Sequence, residues 1–94
     1  MKGGWVYIMT NRPNGTLYVG VTGDIARRAH EHKTGTGGFT QRHLLHTLVY
    51  AERHAEIMRA IQREKNIKEW PRAWKIRLIR EINPDWRDLY GDLI

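Results

Sequence analysis

Three groups of residues in this sequence have the types and spacings that can do chemistry. The first is Glu64. On a helix through this region the apolar positions are Ile57, Ala60, Ile61 and Ile67. Positions 60, 61, 67 and 68 are those three and four residues from 64, so the carboxylate lies on the apolar stripe. A buried carboxylate without a partner is costly. Two readings follow: a partly buried ion pair to a nearby arginine, or a carboxylate facing a cleft where it holds a divalent cation. The second group is Arg28 and His32, four residues apart and therefore on one helix face. Together they suit a phosphate, because guanidinium offers a fixed fork of donors and imidazole donates a hydrogen bond or holds a proton. A solvated basic face is the alternative. The third is Tyr7 and Tyr18, with ten residues between them. Two phenols on neighbouring strands serve as core packing, or orient or deprotonate a water. The latter needs positive charge to lower a pKa that is ordinarily ~10. Arg28 and a bound cation would supply such a field.

The elements that must position these groups are legible in outline. Trp5–Thr10 is β-branched and aromatic and reads as a strand. Asn11-Arg12-Pro13-Asn14-Gly15 signals a hairpin turn, since Gly accepts positive φ and Asn tolerates it. Thr16–Thr22 is the second strand, antiparallel to the first. Asp24 is a predicted N-cap for a helix over about Ile25–Lys33. Thr34–Thr40 is too glycine-rich for regular structure. Leu48–Glu52 reads as a third strand, His54–Lys68 as a second helix and Arg72–Ile82 as a third. On the last, Trp74, Leu78, Ile79 and Ile82 form one predicted stripe. Asn83-Pro84 ends it. This order predicts a small single-domain α+β fold over residues 1–94, with a three-stranded, mainly antiparallel sheet flanked by helices.

Composition narrows the function classes. The chain has 94 residues, 40% of them apolar, with no cysteine, which excludes a disulfide scaffold, a thiolate zinc site and a cysteine nucleophile. His30 and His32 are two apart, about 200° around a helix axis, and do not converge on a metal. Gly35, Gly37 and Gly38 are not followed by the Lys-Ser/Thr of a phosphate-binding loop. The longest uncharged run, Pro13–Gly23, is too short to span a bilayer, and no secretory leader is visible, so the expected compartment is the cytoplasm. The formal charge of +6 is concentrated: residues 53–80 carry nine Lys/Arg against three Asp/Glu, and the two flanking segments together sum to zero. Such a stretch favours polyanions, nucleic acid before membrane.

Taken together, Tyr7, Tyr18, Arg28, His32 and Glu64 resemble the signature of the GIY-YIG nuclease family. Trp5-Val6-Tyr7, then Tyr18-Val19-Gly20, stand where the two signature triplets stand, with Trp5 in place of the first glycine. Arg28 falls where the family has its essential arginine, His32 where it has His or Tyr, and Glu64, within Arg63–Lys68, where it has its metal-binding glutamate. The chain looks like the small stand-alone bacterial members and resembles the N-terminal nuclease domain of the excision-repair nuclease. The resemblance extends to Phe39-Thr40, Leu48-Val49-Tyr50 and Asn83-Pro84-Asp85-Trp86. It implies a metal-dependent endonuclease acting on phosphodiesters in structured nucleic acid, with DNA expected and RNA the alternative, in repair or processing. Glu64 would hold Mg²⁺ or Mn²⁺, Arg28 the scissile phosphate and either tyrosine the attacking water, while His32 would assist by hydrogen bonding. His43, His46 and Asn83 are further candidates without assigned roles. Two rival classes remain: a module that grips structured nucleic acid without cutting it, and a protein-interaction domain using Trp70, Trp74 and Trp86. Oligomeric state is open.

Overall fold

The computed structural model describes residues 3–35 and 45–93. Three strands, β1 (Gly4–Thr10), β2 (Leu17–Thr22) and β3 (Thr47–His54), form one antiparallel sheet in the order β2-β1-β3. Three α-helices, α1 (Ile25–Thr34), α2 (Ile57–Glu69) and α3 (Arg72–Ile82), and a terminal 3₁₀ turn, η1 (Leu89–Asp92), complete it. The predicted Thr34–Thr40 loop lies mostly outside the described residues.

β1 is the central strand and is covered on both faces, which explains why its sequence is a nearly continuous apolar run. Alternation sends Tyr7 and Met9 to one side, where they pack with Ile25 and Ala29 of α1 and with Leu45 and Leu48. Val6 and Ile8 point to the other side, into a second core with Val19, Val49, Tyr50, Ala60, Ile67 and Ile79. The molecule is therefore three layers: α1 and the C-terminal turn, the sheet, then α2 and α3. Gly4 marks the closest approach of α2, since a Cβ there would strike the Ile57 side chain.

The predicted turn chemistry is realised with one difference. Asn14, not Gly15, takes the positive φ, at 57°. Gly15 N donates to Arg12 O at 2.9 Å, and Asn11 Oδ1 accepts from Thr16 N at 2.9 Å, so side chain and backbone close the loop together. Asp24 caps α1 as expected, accepting from Arg27 N at 3.1 Å. Two elements depart from the sequence reading. β3 runs two residues further than predicted, to His54, because Gly4 and Trp5 extend β1 alongside it. α2 starts three residues later, at Ile57, since residues 47–54 are taken by the strand. The α3 stripe is also corrected. Ile79 alone is fully buried, while Trp74 and Ile82 are 49% and 58% exposed.

Asn83 acquires a structural role. It is buried, its Nδ2 donates to Val49 O at 3.0 Å and Arg87 O at 2.9 Å, and its Oδ1 accepts from Arg87 N at 3.1 Å. These bonds hold a reversal in which Trp86 sits at φ 56°, left-handed backbone that costs a bulky residue roughly 1–2 kcal/mol. In return Trp86 is buried in the second core. Asn83→Ala is expected to destabilise the chain by about 2 kcal/mol, the scale for stranding buried partners. Asn83→Asp, which keeps the acceptor and loses both donors, should be similarly damaging. A denaturant midpoint unchanged in both variants would contradict this assignment.

Candidate active site

Tyr7 stands in the middle of the central strand, opposite Gly20 of β2. Directly paired residues face the same side of a sheet, so a side chain at position 20 would occupy the phenol's space. A Cβ built on Gly20 collides with the Tyr7 hydroxyl and ring. Glycine therefore lets Tyr7 lie across the neighbouring strand. Tyr18, paired with Met9, projects to the same face one step along, and the two rings are 6.2 Å apart at 45°. α1 lowers His32 onto both: its ring lies 5.5 Å from Tyr7 and 5.4 Å from Tyr18. The Tyr7 hydroxyl and His32 Nε2 are hydrogen-bonded at 3.1 Å. His46 Nδ1 donates to the His32 carbonyl at 2.9 Å, which fixes the end of α1 beside β3. His43 lies outside the described residues.

Arg28, one turn before His32, completes the cluster. Its side chain is 44% exposed and is braced by Glu31 Oε1 at 3.1 Å from Nε. It borders a surface hollow of about 450 Å³ shared with Thr22, Gly23, Asp24, Arg27 and Glu31. A guanidinium that is braced by Glu31, interacts with the Tyr7 hydroxyl and is still nearly half exposed can receive an anion. Four of the five predicted residues are thus brought together by three elements.

The sequence reading leaves open which phenol, Tyr7 or Tyr18, would act on water, and names Arg28 with a bound cation as the field that would lower its pKa. Arg28 does act in that direction, but burial and the nearby Tyr18 outweigh it, and the Tyr7 phenol is held well above its ordinary value. Tyr7 is therefore a protonated hydroxyl at neutral pH. His32 is pushed down to about 4, first by burial and then by the Arg28 charge, with Glu31 partly opposing. It is a neutral imidazole near pH 7, a hydrogen-bond partner and not a phosphate-binding cation. Its Nδ1 is buried without a partner among the described residues, which matches that desolvation.

Glu64 is on α2, whose flanking Ala60 and Ile67 belong to the core on the other side of the sheet. It is buried, at 8% exposure, as the apolar stripe predicted. Its partner is lysine and not arginine: Lys68 Nζ lies 2.8 Å from Oε2. The hydrogen bond and ring contacts that join Tyr7, Tyr18 and His32 do not pass through Glu64. Oε1 takes no ion pair or hydrogen bond among the described residues, which leaves one carboxylate oxygen as a donor. No three His, Asp or Glu side chains converge among the described residues. A cation here would be held by one carboxylate, with waters and phosphate oxygens supplying the rest, a set that suits Mg²⁺.

The sequence reading missed the residues that steady this site. Lys33 Nζ is paired with Asp88 Oδ2 and donates to His46 O at 3.1 Å. Asp88 also accepts from Leu48 N at 3.2 Å and caps η1 at Tyr90 N. Asp88 thereby joins α1, β3 and the tail. In the sequence Asp88 is one of three aspartates in the tail, with Asp85 and Asp92, and nothing marks it out for this role.

His32 sets a pH dependence. Its folded pKa lies below the unfolded ~6.5, so the unfolded chain binds more protons between those values. The stabilising term is full above about pH 6.5 and is lost as pH falls toward 4, amounting to on the order of 2–3 kcal/mol. Chemical denaturation at pH 7 and pH 4.5 should show that fall in the native chain and a clearly smaller one in His32→Gln. An equal fall in both would remove His32 as its source.

Comparison with known proteins agrees with this architecture. Residues 3–77 match the GIY-YIG catalytic domain. A UPF0213 protein of Natronomonas pharaonis is 37% identical over 78 residues, covering 82% of this chain and 91% of the relative. A UPF0213 protein of Staphylococcus aureus is 37% identical over 83 residues, covering 86% and 99%. The solution NMR structure of a UPF0213 protein from Bacillus halodurans superposes with a TM-score of 0.55 at 24% identity, over 92% of each chain, which supports the fold. With the match running from the first strand into α3, the chain belongs to the GIY-YIG catalytic domain family and is similar over most of its length to UPF0213 proteins.

Proposed function

We propose that residues 1–94 act as a divalent-metal-dependent endonuclease that hydrolyses phosphodiester bonds in DNA. The observation that carries this reading is the packing of Tyr7, Tyr18 and His32 into one ring cluster with the open guanidinium of Arg28 at its edge. A cationic group bordering a hollow beside two phenols and a neutral imidazole suits binding a phosphate and placing a water against it. Family membership supplies the reaction class.

Arg28 would bind the scissile phosphate with its fork of donors and offset charge that builds on the oxygens during attack. Tyr18 is the more accessible phenol and is the better placed to orient the attacking water. Tyr7, buried and protonated, would keep its proton and donate it in a hydrogen bond to His32 Nε2, holding the ring cluster in register. His32, neutral, accepts that bond. Glu64 is the residue that would hold the cation, through the oxygen that Lys68 leaves open. When bound, such an ion supplies Lewis-acid stabilisation of the departing oxygen.

Arg28→Ala and Glu64→Gln are each expected to lower cleavage of a branched or duplex DNA substrate by at least ~10²-fold, with unchanged circular dichroism. Tyr18→Phe should lower kcat more than Tyr7→Phe. Chelation of divalent ions should stop cleavage, and added Mg²⁺ restore it. A purified Glu64→Gln protein that cuts normally with Mg²⁺ would overturn the role of that residue. Binding without cleavage on branched, single-stranded and duplex substrates alike would instead establish a non-cleaving module.

A further inference from the structure

The third helix is poorly covered for an element so apolar. Of its eleven residues only Ile79 is fully buried, and Trp74 and Ile82 are left largely in solvent. Trp74 stands edge-on to Trp70 at 6.0 Å and 68°. Trp70 in turn carries the Arg63 guanidinium over its ring at 5.1 Å, while Arg63 Nε is bound to Glu52 at 3.0 Å. The half-buried indole is therefore fixed from below, and the exposed one leans on it. Trp70, Trp74, Arg77, Leu78 and Glu81 line a hollow of about 410 Å³.

The hollow itself is lined by one cation and one anion, Arg77 and Glu81, but the helix that carries it is cationic. α3 carries Arg72, Lys75, Arg77 and Arg80 against Glu81 alone. Arg72 is committed to the hairpin, where Nη2 donates to Asn14 O at 2.7 Å and Gly15 O at 2.6 Å, and Lys75 donates to Lys68 O at 3.3 Å. The side chains of Arg77 and Arg80 are exposed and make no hydrogen bond or ion pair among the described residues. Arg77 lies one turn from Trp74 and borders the same hollow.

From this placement we infer that α3 is a second nucleic-acid contact, at which an unpaired DNA strand stacks a base on Trp74 and sets its phosphates against Arg77 and Arg80. A supported indole with a free arginine one turn away, and a second further round the helix beside the first, is the kind of arrangement that single strands use, because every base has a face to stack and every linkage a charge to neutralise. A second copy of this chain is the poorer occupant, since it would bring an equal cationic helix against this one in a molecule of net charge +6. The hollow at Trp74 shares no lining residue with the hollow at Arg28, so this grip is separate from the phosphate site there. The inference rests on the nuclease reading and gives its substrate a required feature, a single-stranded segment beside the cut.

The test is a titration of labelled twelve-nucleotide oligothymidylate, in the presence of a chelator, into the full chain and its variants. At a stacked rise of ~3.4 Å the probe outreaches the 34 Å longest dimension of the protein. The native chain should bind with quenching of tryptophan fluorescence, and bind a blunt duplex of equal length with less quenching. Trp74→Leu should weaken binding of the single strand about tenfold, and Trp74→Phe, which keeps a stacking face, no more than about threefold. Arg77→Gln should weaken binding and lower its salt slope by about one. Trp74 is half exposed, so folding should survive, and thermal melting checks this. Trp74→Leu binding the single strand as tightly as the native chain would overturn the inference. So would sedimentation showing a native dimer that Trp74→Leu converts to monomer, which would make a second copy the occupant. DNA cleavage by the native chain together with native-like binding by Trp74→Leu removes this inference and leaves the nuclease reading intact. Absence of both binding and cleavage in the native chain removes both.

Discussion

The Tyr7–His32 hydrogen bond is a polar link through an otherwise apolar layer, and much else is arranged around it. The bond satisfies the buried hydroxyl and one of the two imidazole nitrogens, Nδ1 being left without a partner among the described residues. That requires α1 to lie at one height over β1, so that Nε2 meets the phenol, and it requires position 20 to have no side chain. The bond is not held by the two residues alone. His46 grips the carbonyl of His32, Lys33 reaches Asp88, and Asp88 reaches the backbone of β3. The C-terminal turn is thus part of the apparatus that sets the angle of the helix bearing Arg28. Burial makes the same pair electrostatically quiet: the phenol keeps its proton and the imidazole stays neutral. The positive charge at the site is left to Arg28, which is the group nearest solvent.

Much of this was legible from residue types and spacings. Tyr7, Tyr18, Arg28 and His32 lie on elements whose periodicity is plain, and a hairpin followed by a capped helix can bring them together in few ways. The stripe position of Glu64 correctly implied burial. Its partner did not follow, since helix spacing permits lysine at the fourth position as readily as an arginine from elsewhere. How strongly Arg28 acts on each phenol did not follow either, because sequence shows which charges are near but not how dry the site is, and at Tyr7 desolvation exceeds the pull of Arg28. The α3 stripe was misread for a related reason. Helical periodicity gives a face, but whether anything covers that face depends on how α2 and the sheet are already occupied. The core across the sheet is filled by Ile67, Ile79 and the returning Trp86, which leaves Trp74 and Ile82 outside.

The basic stretch from 53 to 80 looks uniform in the sequence and divides into two populations in the fold. On α2, Arg63 is bound to Glu52, within a cluster that also takes in Tyr50 and His54, and Lys68 is bound to Glu64. These cations are internal counter-charges. Glu52 is held below the usual carboxylate range: burial alone would raise it, and the hydrogen bonds from Tyr50, Arg63 and His54 outweigh that. On α3 the same kind of residue is used otherwise, with Arg72 and Lys75 anchoring backbone carbonyls and Arg77 and Arg80 left to solvent. Both helices also leave cations to solvent, Arg59 and Lys65 on α2 and Arg77 and Arg80 on α3, so what sets α3 apart is the half-exposed indole of Trp74 beside its free arginines.

Two faces with different duties follow from a sheet only three strands wide. The central strand is covered on both sides, so its odd residues can build a site under α1 while its even residues build the core that carries α2 and α3. Glu64 is the exception to this division, because it belongs to the core helix and yet carries a charge. A carboxylate on the apolar stripe has to be compensated, and Lys68 compensates one oxygen while remaining half exposed itself. An exposed ammonium can swing away at modest cost, whereas an internal arginine held by several bonds could not. A buried acid paired with a half-exposed lysine is thus compensated without a cation, which an unpaired carboxylate at the same depth would not be, and under the proposed mechanism it would exchange that partner for the ion.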